Sequence, residues 1–327
     1  MPNTVKKPLM LTRAVAALLI STAASMTSAF AADDPVRIVV PYAAGGGVDI
    51  VTRLVTPEME KSLGTSIIVE NRPGAATNIG SAAVASAEPD GTMLLTASNT
   101  LASNAALYSN LSFDPATDLV AIGQIGYAPL VVVVPQDSPY KTLDDLIAAG
   151  RKDPQALTYA SAGNGSSGHM ASELLKQDGG FEALHIPYKG GSPAITDLIG
   201  GRISFMSINP TEVIGHIKAG KLRALAVLDD KQNALLPDLP TVTSLGHPNS
   251  TAAVWWGLVG PKGLPAETIE KQNAALQAAL ADEATRKRLS ELGVVISSGS
   301  AREFQQFVGT EREKWTAVIK KAGIRAD

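Results

Sequence analysis

Apolar positions along the chain switch between strand-like runs and helical spacing, and the switch repeats. Val36–Val40 is an almost unbroken apolar run of strand length. After an intervening loop, Val51, Leu54, Val55, Met59 and Leu63 recur at helical spacing, and Gly64 stands where a helix stop belongs. The same order returns with a strand at 67–69, a small-residue helix toward Ala87, the turn Pro89-Asp90-Gly91 and a strand at 93–95. A polar segment rich in Ser and Asn, 96–104, follows at that strand's C-terminal end. The apolar run Leu130-Val131-Val132-Val133-Val134 reads as a strand crossing into a second half of the chain. There, strands at 157–160, 203–206 and 222–228 alternate with helices opened by Thr142 with Asp145, by the loop 161–169, and by Ser192 as N-cap with Pro193 at the first position. A Pro-rich connection, 236–248, leads to a return strand at 253–259. Beyond Pro265 the pattern is helical, and it ends in a helix with Ser300 and Glu303 as a capping box and a stripe of Phe304, Phe307, Val308, Trp315, Val318 and Ile319.

Alternating strands and helices predict an α/β architecture, and two crossings of the chain predict two lobes with a hinge. Lobe 1 then comprises 32–131 plus 253–327, and lobe 2 comprises 132–252. The N-terminus breaks the pattern. Lys6, Lys7 and Arg13 precede an uncharged run, and Ala29-Phe30-Ala31 has the small-x-small form of a signal-peptidase site. Residues 1–31 therefore read as a secretory signal cleaved after Ala31, which places the mature chain in the periplasm. With no cysteine in 327 residues, no lipid anchor, disulfide or thiolate metal site is available.

Composition adds the class of partner. The chain is 45% hydrophobic and 18% charged, that of a soluble globular protein. Without the signal, 25 Lys and Arg face 31 Asp and Glu, six net negative charges with no basic stripe, which argues against nucleic acid. His169, His185, His216 and His247 are scattered and lack paired-ligand spacing, so no metal is expected.

Candidate chemistry gathers where strands end. Pro41-Tyr42-Ala43-Ala44-Gly45-Gly46-Gly47-Val48-Asp49 joins a strand to a helix, with Asp49 as the expected N-cap; outward amides at a helix start suit an anion, and a plain tight turn is the alternative. The loop 161–169 holds Gly163-x-Gly165-x-x-Gly168, which matches the dinucleotide fingerprint, but it sits mid-chain in a secreted protein, so no nucleotide or other cofactor is expected. Its physical content is a second helix start with the hydroxyls of Ser166 and Ser167. Serine hydrolysis by Ser166 or Ser167 with His169 is the rival from another class, although no G-x-S-x-G elbow is present. Tyr188 can project a phenol into a cleft, whereas Lys189 reads as equally suited to a solvated turn. Arg72 can clamp a carboxylate or brace loops, and Trp255 and Trp256 can line a pocket or pack.

Taken in order, Pro41-Tyr42-x-x-Gly45-Gly46 with Asp49 and Arg53, Glu70-Asn71-Arg72-Pro73-Gly74-Ala75, Pro89-Asp90-Gly91-Thr92, Tyr159-Ala160-Ser161 with Gly165-Ser166, Pro187-Tyr188-Lys189-Gly190, Leu236-Pro237-Asp238-Leu239-Pro240-Thr241 and Trp256-Gly257-Leu258 resemble the Bug family. These are periplasmic solute receptors of tripartite tricarboxylate transporters, and the resemblance covers essentially the whole mature chain. It implies a type II periplasmic-binding-protein fold with mixed sheets flanked by helices. It further implies a non-enzymatic receptor that closes on a small carboxylate or dicarboxylate and docks on membrane permease subunits. Signalling to a sensor kinase is the other receptor role, and a monomer is expected. Carried over by position, the resemblance puts Tyr42, Ala44, Gly45, Gly46, Gly47 and Asp49 on one wall and Gly165, Ser166 and Tyr188 on the other; strand-end position adds Ser98, Asn99, Asn209 and Thr211. Ser204 and Ser244 depart from the family pattern, and the resemblance assigns such changes to lobe packing or the distal pocket.

Overall fold

The first half of the chain forms β1 (Val36–Val40), α1 (Gly47–Leu63), β2 (Ile67–Asn71), α2 (Asn78–Ala85), β3 (Met93–Ala97), α3 (Asn99–Leu107) and β4 (Leu119–Pro129). Next come β5 (Val131–Pro135), α4 (Leu143–Lys152), β6 (Thr158–Ser161), α5 (Ser167–Gly179), β7 (Leu184–Pro187), α6 (Gly191–Ile199), β8 (Phe205–Ile208), α7 (Pro210–Lys218) and β9 (Leu222–Val227). The chain closes with β10 (Ala253–Pro261), α8 (Ala266–Ala281), α9 (Glu283–Glu291), β11 (Val295–Ile296) and α10 (Ala301–Ala322). The structure, a computed structural model, describes residues 1–2 and 34–326. Residues 3–31 of the stretch read as a secretory signal lie outside the described residues. Pro35–Asp327 is a unit by itself, separate from Met1–Asp34.

Two sheets carry this unit. The first runs β11-β4-β10-β3-β1-β2, the second β7-β6-β8-β5-β9. Around β1 the pairing is parallel on both sides, which requires crossover helices, and α1 and α2 supply them. In α1, Val51, Val55 and Met59 are fully buried, and Gly64 ends the helix at φ 72°, a backbone angle at which glycine pays no steric penalty. β10 returns antiparallel between β3 and β4. Only Leu130 separates β4 from β5, so the chain steps from one sheet to the other within a residue. Along β5 the strand period sorts the valines: Val132 and Val134 join the core shared with the first sheet, while Val131 and Val133 pack with Met206, Ile208 and Val213 on the other face.

Several local expectations change. β4 has no counterpart in the apolar pattern because Gly123, Gln124 and Gly126 interrupt it. Both glycines are close-approach sites: a Cβ at 123 would lie 2.7 Å from Asn273 Nδ2, and one at 126 would lie 2.5 Å from the Val295 carbonyl oxygen. The 96–104 segment is the end of β3 followed by α3, whose Asn99, Thr100, Ser103 and Asn104 are buried, so its polar residues face inward. Asp49 is not an N-cap. Gly46 holds that position, and Asp49 is the third residue of α1, its carboxylate turned back to the Gly45 N–H at 2.9 Å. Ser192 and Pro193 likewise fall inside α6, which starts at Gly191 with Gly190 (φ 154°) as its cap. In both places glycine backbone starts the helix earlier than a capping side chain would. The two capping boxes, Thr142 with Asp145 and Ser300 with Glu303, form as their spacing predicts. Among the described residues, no helix is long and apolar enough to cross a membrane.

Candidate functional site

Loops from the two sheets meet at one place. The loop after β1 touches the loop before α6: Ala43 N–H donates to the Lys189 carbonyl at 3.2 Å, and Ser192 Oγ to the Ala44 carbonyl at 3.4 Å. Beside it, Ser103 Oγ on α3 donates to the Gly165 carbonyl at 2.7 Å. Between these contacts lies a cleft of two compartments that share Tyr42 and Ala162. The inner one, about 30 Å³, is lined by Gly46, Gly47, Ser98, Ser166 and Asn209 together with Glu212 and Trp256. The outer one, about 230 Å³, lies among Gly74-Ala75-Ala76-Thr77, Asn164, Tyr188 and Lys189. A hollow of similar size, about 240 Å³, lies elsewhere between Tyr127, the 229–235 segment and the end of α9.

The inner compartment is built by close backbone approach. A Cβ on Gly47 would lie 2.8 Å from Asn209 Nδ2 and 2.9 Å from Thr211 Oγ1, so only glycine lets the start of α1 meet the start of α7. Two protein carboxylates flank the start of α1. Asp49 takes the Gly45 N–H and is held by Arg53 Nε at 2.9 Å and Asn71 Nδ2 at 3.0 Å. Glu212 receives Asn209 Nδ2 at 2.5 Å and lies beside the Gly47 N–H. Burial pushes the Glu212 carboxyl up to about 7 against those two donors. The Tyr42 hydroxyl is hydrogen-bonded to Thr100 Oγ1 at 3.1 Å, and burial pushes it up to about 12, so it is a neutral phenol at any working pH. On the facing side, Ser166 caps α5 by accepting from the His169 N–H at 3.4 Å.

Tyr42, Gly46, Gly47, Ser98, Ser166 and Asn209 are thus brought together around the inner compartment, and Tyr188 lines the outer one. The remaining residues singled out from sequence stand behind these walls. Ala44 and Gly45 are exposed at the loop tip, and Asp49 braces the loop. Asn99 clamps β10, donating to the Ala253 carbonyl at 3.1 Å and accepting the Trp255 N–H at 3.2 Å. Gly165, at φ 73°, packs on α3, and Thr211 donates to Asn209 Oδ1. Tyr188 points its hydroxyl at Asp197, 2.7 Å away. Arg72 pairs with Glu70 at 2.6 Å and so braces its own loop. Ser204 ties β8 to β6 by accepting the Thr158 N–H at 3.0 Å, and Ser244 closes a turn on Thr241, so neither departure reaches the cleft.

Glu212 and the 75–77 run escaped sequence reasoning, and Trp256 was read there only as able to line a pocket or pack. Glu212 reads as an ordinary first-turn acid of an amphipathic helix. Trp256 was indistinguishable from its neighbour Trp255, which packs and donates to Glu311 Oε2 at 3.2 Å. At Ala75, Ala76 and Thr77 three consecutive non-glycine residues adopt φ of 45°, 50° and 76°, a strained run on the wall of the outer compartment. A left-handed run of this kind leaves no compositional trace.

The geometry does not support a serine nucleophile. His169 Nδ1 accepts the Gly165 N–H at 3.0 Å, and its ring stacks on His185 with centroids 4.0 Å apart. Ser166 faces the backbone of His169 and not its ring. Burial pushes His169 down to about 4, where it is a weak base.

Comparison with known proteins agrees with this arrangement. Residues 51–324 match the family model described as tripartite tricarboxylate transporter family receptor. A UPF0065 protein from the tcbD-tcbE intergenic region of Pseudomonas sp. (strain P51) is 34% identical over 94% of this chain and 91% of its own. Among solved structures, the periplasmic binding protein BugD is 34% identical over 90% of this chain and 99% of its own, with a TM-score of 0.86. MatC from Rhodopseudomonas palustris with bound malate (29% identity, 87% and 98% coverage, TM-score 0.84) and R. palustris Rpa4515 with adipate (32%, 89% and 98%, TM-score 0.86) share the fold. The chain belongs to the tripartite tricarboxylate transporter receptor family, the Bug-type periplasmic solute-binding proteins, and is a receptor and not an enzyme.

Proposed function

We propose that the chain captures a small carboxylate in the cleft between two lobes, 32–131 plus 253–327 and 132–252, and delivers it as a monomer to the permease subunits of a tripartite tricarboxylate transporter. In this reading residues 1–31 direct export and are cleaved after Ala31. The observation that carries the proposal is the convergence of glycine loops and helix starts from both sheets on one buried compartment. The start of α5, with Ser166 and Ser167 on the cavity wall, supplies amides and hydroxyls for an oxyanion, whereas the start of α1 is held by Asp49 and Glu212. Malate in MatC and adipate in Rpa4515 make carboxylates the class to test. Several charge-assisted hydrogen bonds at roughly 1.5–3 kcal/mol each, less the cost of closing, suffice for micromolar affinity.

A thermal-shift screen of mono-, di- and tricarboxylates and amino acids on exported, dialysed protein tests the proposal. A ligand at about 100 times its dissociation constant adds about 2.7 kcal/mol of stability, which shows as a rise of several degrees. No rise with any acid of the panel would count against it.

A further inference from the structure

Two histidines with no place on the cavity walls meet one loop of the cleft from behind. Residues 161–166 pass from β6 to α5 and wall both compartments, Gly163 and Asn164 the outer, Ser166 the inner, and Ala162 the two together. Gly163 (φ 127°) and Gly165 (φ 73°) give this loop left-handed backbone, and glycine loses more conformational freedom than any other residue on being fixed. A loop so composed faces a ligand in one arrangement only where its neighbours hold it.

His169 on α5 and His185 on β7 hold its two ends. His185 Nε2 lies 2.7 Å from Ser161 Oγ, which also accepts the Gly163 N–H at 3.1 Å. His169 Nδ1 accepts the Gly165 N–H at 3.0 Å, while the backbone N–H of the same histidine donates to Ser166 Oγ. Gly165 is thereby fixed on both sides, since its carbonyl receives Ser103 Oγ from α3. The two rings stack on each other, and the stack continues through Tyr159, 4.8 Å from His185, to Phe205, 5.6 Å from Tyr159. Aromatic hydrocarbon would fill such a stack without the cost of burying ring nitrogens. What imidazole adds is a nitrogen at each end of the loop.

The bond from Gly165 needs the lone pair of Nδ1, so His169 must be neutral with its proton on Nε2. Its surroundings keep it so. The residue is buried, and Lys176 on the same helix opposes a second positive charge. The Glu173 carboxylate is taken by Tyr159 Oη at 2.6 Å and Lys176 Nζ at 2.9 Å, and Glu182, ahead of β7, faces Lys176 at 3.6 Å. β8 brings no titratable side chain, and Asp178 at the end of α5 accepts from Asn249 and Ser250.

We propose that His169 and His185 are positioning residues of the ligand site, two neutral imidazoles that clamp 161–166 in its binding arrangement without touching the ligand. The proposal rests on the carboxylate-receptor reading and adds to it what keeps the facing loop in shape before a ligand arrives.

Two substitutions at one position separate the clamp from simple packing. His169→Leu keeps apolar bulk and offers no acceptor, whereas His169→Asn is smaller but places Oδ1 where Nδ1 stands. Hydrogen–deuterium exchange of the exported, ligand-free protein, followed in peptides spanning 161–168, reads the loop itself, and isothermal titration calorimetry with malate and adipate at pH 7.5 reads its consequence. His169→Leu should speed exchange in those peptides and weaken the acid that the wild type binds by about tenfold. His169→Asn should restore both toward the wild type. Leu behaving as the wild type, or Asn behaving no better than Leu, would overturn the clamp and leave the carboxylate receptor standing. Where His169→Leu does not fold, His185→Phe, which keeps the stack, against His185→Gln, which returns a polar group toward Ser161, carries the same pair of outcomes. If malate, adipate and every acid of the thermal-shift panel fail to bind the wild type, the carboxylate reading fails, and the exchange comparison still decides the clamp.

Discussion

Gly47 is a point of close approach between the walls of the cleft, and Gly46, whose added Cβ would sit 3.5 Å from Glu212 Oε2 at ordinary van der Waals distance, is the more forgiving neighbour. Gly47→Val should therefore hold the loops of the two sheets apart while leaving each sheet's core intact. Glu212 and the stacked histidines make opposite claims on pH. Glu212 is pushed from 4.5 up to about 7, so below pH 4.5 it is protonated folded or unfolded and contributes nothing. Between those values only the unfolded chain ionises fully, and above 7 the folded chain carries the whole penalty, on the order of 3 kcal/mol. Glu212→Gln should then raise the melting temperature at pH 8 and leave it unchanged at pH 4; scanning calorimetry giving the same difference at both would contradict a buried charge. Burial pushes His169 down to about 4, with Lys176 adding to it, and His185 to about 3, with His169 and Lys176 adding to it against Glu173. Their depressed values mean that stability present above pH 6.5 is lost as pH falls toward 4 and 3. In His185→Gln, which removes one of the two rings, melting temperature should fall less steeply between pH 6.5 and 4 than in the wild type.

At the scale of elements, caps and close approaches set the local energetics. Thr142→Ala removes the oxygen that accepts the Asp145 N–H at 3.1 Å, and a loss of about 1 kcal/mol in urea unfolding is expected. Gly257→Ala places a Cβ 2.2 Å from Phe304, so α10 must shift from β10; it should destabilise by about 1–3 kcal/mol, as overpacked cores do, with ligand affinity kept. Elements whose periodicity is carried by side chains were legible from sequence: β1, α1, β5 and α10 lie where their apolar positions put them. β4 was hidden because its glycines serve packing partners that arrive much later in the chain. The starts of α1 and α6 were misplaced because glycine backbone does there what Asp49 and Ser192 do elsewhere. In the cleft, the glycine loop and the start of α5 could be read directly, since their chemistry is local. Glu212 could not, because its place on the wall depends on neighbours far away in sequence.

At the scale of the two sheets together, three hydrogen bonds tie the two chain crossings at one line. Leu130 N–H donates to the Ala252 carbonyl, Leu228 N–H to the Leu130 carbonyl and Ala252 N–H to the Leu228 carbonyl, at 3.0, 2.8 and 2.9 Å. The side chains of Leu130 and Leu228 are buried, and in the proposed reading closure on the ligand would turn about this line. Small-angle scattering should then show a smaller radius of gyration with bound ligand than without. Isothermal titration calorimetry of the exported protein and of Gly47→Val, using the carboxylates that raise the melting temperature in the thermal-shift panel, tests the cleft most directly. One site per chain in the wild type and loss of binding in a folded Gly47→Val variant are predicted; undiminished affinity in that variant would place the ligand elsewhere.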